Sequence, residues 1–240
     1  RSRGFLLGGT AGRTTLNGEG LQHEDGHSQI WASAVPNCIS YDPTFAFELA
    51  VVIQDGMRRM LTDQEDVYYY ITLMNANYSQ PAMPKGAEQD IIKGMYRLQS
   101  MGEANNPLRV QLLGSGTIFR EVMAAAEILQ AEWGIASDLW GCPSMNELGR
   151  DWNETNRSNL LNPGNTPKLS HVERLLKDTK GPVIAATDYM RMFAEQIRPP
   201  IQNLGRRYEV LGTDGFGRSD TREQLRHFFE VDRRWITVAA

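Results

Sequence analysis

Five consecutive residues, His23-Glu24-Asp25-Gly26-His27, concentrate more reactive side chains than any other window of this sequence. They lie in Leu16–Ser28 (LNGEGLQHEDGHS), whose thirteen positions also hold Asn17, Glu19 and three glycines. Two histidines four apart, with a glutamate after the first, fit the HExxH pattern, in which both imidazoles bind zinc and the glutamate acts as base in a hydrolase. Glu48 would be the third ligand. That chemistry needs a helix, and Gly26 costs about 1 kcal/mol there relative to alanine. The same residues also read as an acid–base loop, because an imidazole with an unperturbed pKa of about 6.5 exchanges protons at neutral pH and nearby carboxylates orient it. In that reading His23 and His27 are the catalytic candidates, and Asn17, Glu19, Glu24 and Asp25 support them. A third reading has both histidines only capping and solvating a loop.

The flanking pattern favours a loop. Gly4–Gly9 is apolar and bounded by glycines, as in a buried parallel strand, and NCISY (37–41) predicts another short strand. Asp42-Pro43 supplies an N-cap acid followed by proline, so a helix is expected from there to about Leu61, with VYYYITL (67–73) as a central strand. Asn75–Ala87 carries two prolines and a glycine without periodicity and reads as a linker. The division is then 1–80, a linker at 81–87, and 88–240.

In the second unit RVQLL (109–113) is a strand and Gly114-Ser115-Gly116 a turn. Thr117–Trp133 is a helix with the stripe Ile118, Val122, Ala125, Leu129 and Trp133. Strands follow at 136–140, 182–187 (PVIAAT) and YEVLG. Asn146–Asp151 predicts a short helix, with Trp152–Leu169 an irregular excursion. Tyr189–Ile197 predicts a helix ended by Pro199-Pro200. Asp220 and Glu223 have capping-box spacing. Strands alternating with helices imply an α/β fold with a mostly parallel sheet in each unit.

Composition narrows the partners. The 240 residues are 41% hydrophobic and 22% charged with a formal net charge of −4. No apolar run approaches the roughly 18 residues of a membrane span, and no basic face suggests nucleic acid. Cys38 and Cys142 lack CxxC spacing and read as reduced cysteines of a cytoplasmic protein. RSRGFLLGG is too short for a signal peptide, and with no initiator Met the chain reads as part of a longer one, its C-terminal unit truncated at ITVAA.

Other motifs are weaker. GSG at 114–116 departs from the dinucleotide fingerprint, since Phe119 replaces its third glycine and Asp138, the ribose candidate, starts its strand instead of ending it. Gly212–Gly217 lacks the lysine of a phosphate loop. His171 and His227 fall on predicted helices and read as packed or surface histidines, and Arg218 and Arg222 as surface or interface charges.

Taken together, LNGEGLQHEDGHS, PNCISYDP, VYYYITLMNANYSQPAMP, VQLLGSGTIFREV and VLGTDGFGRSDTRE resemble the thiamin-diphosphate-dependent decarboxylating component of bacterial homodimeric pyruvate dehydrogenase complexes, with wider similarity to transketolase. The resemblance implies the later part of a pyrimidine-binding domain at 1–80 and a transketolase C-terminal-like domain at 88–240. It further implies thiamin diphosphate and Mg²⁺ in the full-length enzyme, a homodimer partner, pyruvate as substrate and a lipoyl-bearing acetyltransferase as partner. His23 matches the active-site histidine of that family. The family's catalytic glutamate and its glycine-aspartate diphosphate motif would lie before Arg1, so the chain alone is expected to be inactive. A zinc hydrolase and a non-catalytic dimerisation or assembly module are the alternatives.

Overall fold

The computed structural model describes residues 2–9, 11–16 and 20–240. The chain runs β1 (Phe5–Gly8), a single 3-10 turn (Leu21–His23), α1 (Ser28–Ser33), β2 (Cys38–Tyr41), α2 (Ala46–Met57) with a π turn (Arg58–Thr62), and β3 (Tyr68–Thr72). It continues through α3 (Glu88–Ile92), β4 (Tyr96–Met101), β5 (Arg109–Gly114), α4 (Ile118–Trp133), β6 (Ala136–Gly141), α5 (Met145–Leu161) and α6 (His171–Leu176). The last elements are β7 (Val183–Ala186), α7 (Arg191–Glu195), α8 (Arg198–Asn203), β8 (Tyr208–Leu211), α9 (Arg222–Phe228) and α10 (Arg233–Ala239).

Two sheets result. The first has the order β1-β3-β2 and is parallel throughout, with Ile39 opposite Tyr69 and Leu7 opposite Ile71. The second has the order β4-β6-β5-β7-β8, parallel except for β4, which runs antiparallel along β6. The mostly parallel α/β architecture expected from the pattern is therefore present. Apolar cores cover both faces of the second sheet, one built on Leu113, Trp140 and Tyr189 and the other on Leu112, Phe119 and Ile184, as a parallel sheet requires. Tyr41, Tyr69 and Ile71 build the core of the first sheet, which also takes in Ile91 from α3 and Tyr96 from β4. Among the described residues no helix is long and apolar enough to cross a membrane.

Several expectations need correction. β1 is parallel but lies at an edge, with Leu6 and Leu7 more than half exposed. Asp42 does not cap α2. That helix starts at Ala46, whose amide donates to Gln80 Oε1 at 3.0 Å, and Glu48 reaches back so that its Oε2 accepts from the N-cap amide of Phe45 at 2.8 Å. α5 runs to Leu161 through the segment read as irregular, since a buried first turn (Met145, Asn146, Leu148) under the Ser144 cap is enough to extend a polar helix across the surface. Pro199 and Pro200 sit in the first turn of α8, where their missing N–H groups cost nothing, so they begin a helix instead of ending one. α9 is capped by Thr221, one residue after Asp220. Trp133, at the last turn of α4, is exposed. The short helices α1 and α3 and the antiparallel β4 carry too few residues for periodicity to reveal them.

Candidate active-site loop

The loop between β1 and α1 is held by its own polar atoms. Asp25 Oδ1 accepts from the amides of His27 and Ser28, both at 2.9 Å, and its Oδ2 accepts from the Ser28 hydroxyl. A carboxylate bonding the amides two and three residues on is how a chain turns into a helix N-terminus. Asp25 thus starts α1, and Tyr70 donates to Ser28 Oγ at 3.0 Å from β3. The 3-10 turn ahead of it leaves the His23 side chain exposed. His27 is half-buried, its ring stacked on that of Trp31 with centroids 6.0 Å apart, and Trp31 is 71% exposed.

Two opposite charges are buried behind this turn. Glu24 is 3% exposed, and its Oε2 accepts from the amide of Arg218. Burial pushes its pKa up, against the pull of that amide and of Arg13. Arg13 is 2% exposed, and burial lowers its pKa although Asp25, Asp188, Glu24 and Asp214 all favour the cation. Glu24 Oε1 and Arg13 Nε have no hydrogen-bond partner among the described residues. Glycines make room for both groups. A Cβ on Gly217 would stand 2.6 Å from Glu24 Oε2, and one on Gly26 would overlap the Arg13 guanidinium.

The loop's foundation is a polar seam between the sheets. Asp188, after β7, accepts from Thr14 N at 3.1 Å, Thr14 Oγ1 at 2.7 Å and Thr15 Oγ1 at 3.1 Å, while its backbone oxygen accepts from Arg13 N and Thr213 Oγ1. Asp42, after β2, accepts from Thr72 Oγ1 at 2.7 Å and Ser115 Oγ at 2.9 Å. Burial drives the pKa of Asp42 to about 7 and that of Asp188 to about 6, although the hydroxyl donors pull both down. Met190 N donates to Gly26 O at 3.0 Å, tying the loop to α7.

His23, Glu24, Asp25 and His27 are therefore gathered in one loop, but in different roles. Asp25 shapes the backbone, Glu24 anchors the loop to the segment before α9, and His23 faces outward. Asn17 and Glu19 lie outside the described residues. The helix needed for HExxH zinc binding does not form, because His23 ends one turn and His27 precedes another helix. Glu48 instead bonds Tyr96 at 2.7 Å, and no group of three His, Cys, Asp or Glu among the described residues could hold a metal ion.

The weaker motifs resolve structurally. Ser115 and Gly116 meet Asp42, not a ribose, and Asp138 pairs with Arg109 and Gln111 at 2.8 and 2.7 Å. Buried His171 bonds Met95 O at 2.9 Å, and His227 faces Asp232 at 3.1 Å. Arg222 donates to Thr15 O, and the Arg218 side chain lies over Phe228. Cys38 and Cys142 are buried and free. Arg13, Asp42 and Asp188 were not legible as part of this site. Asp42 reads as a helix cap, and the other two have no motif around them.

Comparison with known proteins places the chain in a family. Residues 1–81 match the family described as pyruvate dehydrogenase E1 component middle domain, and residues 94–232 match the transketolase-like TK C-terminal domain. The whole chain is 69% identical to the pyruvate dehydrogenase E1 component of Cupriavidus necator, 60% to that of Pseudomonas aeruginosa and 54% to that of Escherichia coli K12. It spans 26%, 27% and 26% of those proteins, about a quarter of each. The transketolase of Leishmania mexicana superposes with a TM-score of 0.68 at 12% identity over 96% of this chain and 28% of its own. A split-gene transketolase described as an inactive beta4 tetramer gives 0.63 at 15% identity over 98% of this chain and 65% of its own. These structures share the fold, and the sequence relatives the family: the chain belongs to the pyruvate dehydrogenase E1 components, built on the transketolase-like fold.

Proposed function

We propose that this chain supplies the substrate-facing loop and the C-terminal domain of a pyruvate dehydrogenase E1 component. In the complete protein the reaction is the thiamin-diphosphate-dependent oxidative decarboxylation of pyruvate, with reductive acetylation of lipoyl groups on an acetyltransferase partner. The observation that carries this is His23, an exposed imidazole on a turn whose neighbours are fixed by part-buried polar contacts. A freely accessible imidazole at a rigid address suits binding of a 2-oxo acid and proton transfer to and from its oxygen. Asp25 and Glu24 act through the backbone and hold that address.

The residues present fit the cofactor at one end only. His23 suits the side on which substrate reacts, where thiamin diphosphate, when bound, supplies the carbanion and electron sink. The described residues offer no carboxylate cluster for Mg²⁺ and a diphosphate. We therefore assign those contacts to the rest of the E1 component and expect this chain alone neither to hold the cofactor tightly nor to turn over pyruvate. Saturable thiamin diphosphate binding by the chain with Mg²⁺ would refute that. We further propose a division into 1–80, a linker at 81–87 and 88–240, a homodimeric assembly, and work in the cytoplasm.

The deciding experiment is His23→Ala in a complete E1 component carrying these residues. Pyruvate turnover should fall on the order of 10²–10⁴-fold, with the unfolding midpoint little changed because the side chain is exposed. Wild-type turnover would remove His23 from the site. A second reading, that the chain by itself is an assembly module, is favoured by exposed Leu6, Leu7, Trp31 and Phe216. It predicts self-association without turnover in sedimentation.

A further inference from the structure

Within the loop, one buried cation has carboxylates around it but, among the described residues, no hydrogen bond to any of them. The Arg13 guanidinium is almost fully enclosed, its Nε is unbonded among the described residues, and its Nη2 lies 3.5 Å from Nδ1 of His27. An arginine donates from every nitrogen and accepts from none. Across that contact Nδ1 must therefore offer its lone pair, which leaves the ring proton on Nε2. A doubly protonated ring would set N–H against N–H beside a cation that cannot give up its proton.

We infer that Arg13 is a positioning residue that holds His27 as the neutral Nε2–H tautomer, so that His27 donates a hydrogen bond instead of accepting a proton. The surroundings favour one geometry. Gly26 lies against the guanidinium where any Cβ would overlap it, and the Met190 amide pins the Gly26 carbonyl. The His27 amide is fixed by Asp25, and its ring rests on Trp31. Nε2 has no hydrogen-bond partner among the described residues and is free to meet a carboxylate or carbonyl oxygen. The two histidines thereby separate in function, His23 moving protons and His27 orienting an oxygen. That the oxygen belongs to a 2-oxo acid rests on the function proposed above; the tautomer does not.

The test reads the ring directly. In a two-bond ¹H–¹⁵N correlation spectrum of the ¹⁵N-histidine-labelled chain at neutral pH, the His27 signals, assigned by their loss in His27→Gln, should show an unprotonated Nδ1 and a protonated Nε2. Arg13→Met should convert this to mixed tautomers while leaving the His23 signals in place. A wild-type ring protonated on Nδ1 overturns the inference, as does an Arg13→Met ring still locked as Nε2–H. If Arg13→Met does not fold, Gly26→Ala, which displaces the guanidinium, is read the same way. In a complete E1 component His27→Gln, which keeps a side-chain N–H, should lose less turnover than His27→Ala, for which loss of a donor predicts roughly 10²–10³-fold. Equal losses would reject the donor role. Full activity of both variants beside the expected spectrum would reject only the placing of His27 at substrate.

Discussion

Asp188 accepts from both the amide and the hydroxyl of Thr14, at 3.1 and 2.7 Å, across 174 residues of chain. One carboxylate thus carries the base of the candidate active-site loop on the second sheet, and Thr15 adds a third donor. Asp188→Ala would leave three buried donors unmatched. Each costs about 1–3 kcal/mol, so denaturant unfolding should show a loss of at least about 3 kcal/mol, and Asp188→Asn a smaller one.

Buried carboxyls set an unusual pH dependence. Asp42 and Glu48 titrate near 7 and Asp188 near 6, each raised chiefly by burial, while the unfolded chain releases these protons near pH 4. Between those limits the native state holds more protons than the unfolded one, so stability is fullest below about pH 4 as far as these groups act and falls as pH rises towards 7. Asp42→Asn should flatten its share of that slope, on the order of a few kcal/mol, in urea titrations run from pH 4.5 to 7.5. An unchanged slope would show that Asp42 ionises normally.

Glu121 secures the C-terminal helices. It is buried on α4 and accepts from Arg233 Nε at 2.9 Å and from Arg226 Nη1 at 3.3 Å. Burial would raise its pKa, but Arg233 and Arg226 together draw it below the usual glutamate value. Arg233 is half exposed, which discounts the pair. Glu121→Ala should therefore cost about 2–3 kcal/mol and bring early protease cleavage between α9 and α10, visible by mass spectrometry.

Gly217 tests the anchor behind His23. With Glu24 Oε2 and Cβ within 2.7 Å of any added Cβ, alanine must push Glu24 and the 3-10 turn outward. Misplacement of a reacting group by about 1 Å costs on the order of 10²-fold. Gly217→Ala in a complete E1 component should therefore lose turnover while its unfolding midpoint shifts by only a few degrees.

Local patterns located the regular frame well. VYYYITL and PVIAAT stand in their sheets, because β-branched and aromatic runs between turn residues leave few alternatives. The loop with its histidines was also legible from composition. What escaped was set by distant chain. Asp42 before proline has the look of a cap until Thr72 and Ser115 are seen to claim it, and nothing near Arg13 announces that Gly26 and His27 will close over it. The polar helix α5 escaped for the opposite reason, since its apolar face ends at Trp152 and the residues from Asn153 to Asn159 are polar throughout.

The seam has a mechanical meaning. A hinge between the two sheets would have to part Asp188 from Thr14 and Thr15, Asp42 from Ser115, Thr44 from Gly116, and Ser144 from Ser40, all buried and all at once. Gly116 tightens the fit, since its bare backbone lets the turn before α4 settle onto the Asp42 carboxylate. The sheets are thus obliged to travel as one body, and the turn bearing His23, tied to one through Asp25 and Tyr70 and to the other through Gly26 and Met190, keeps its place relative to both.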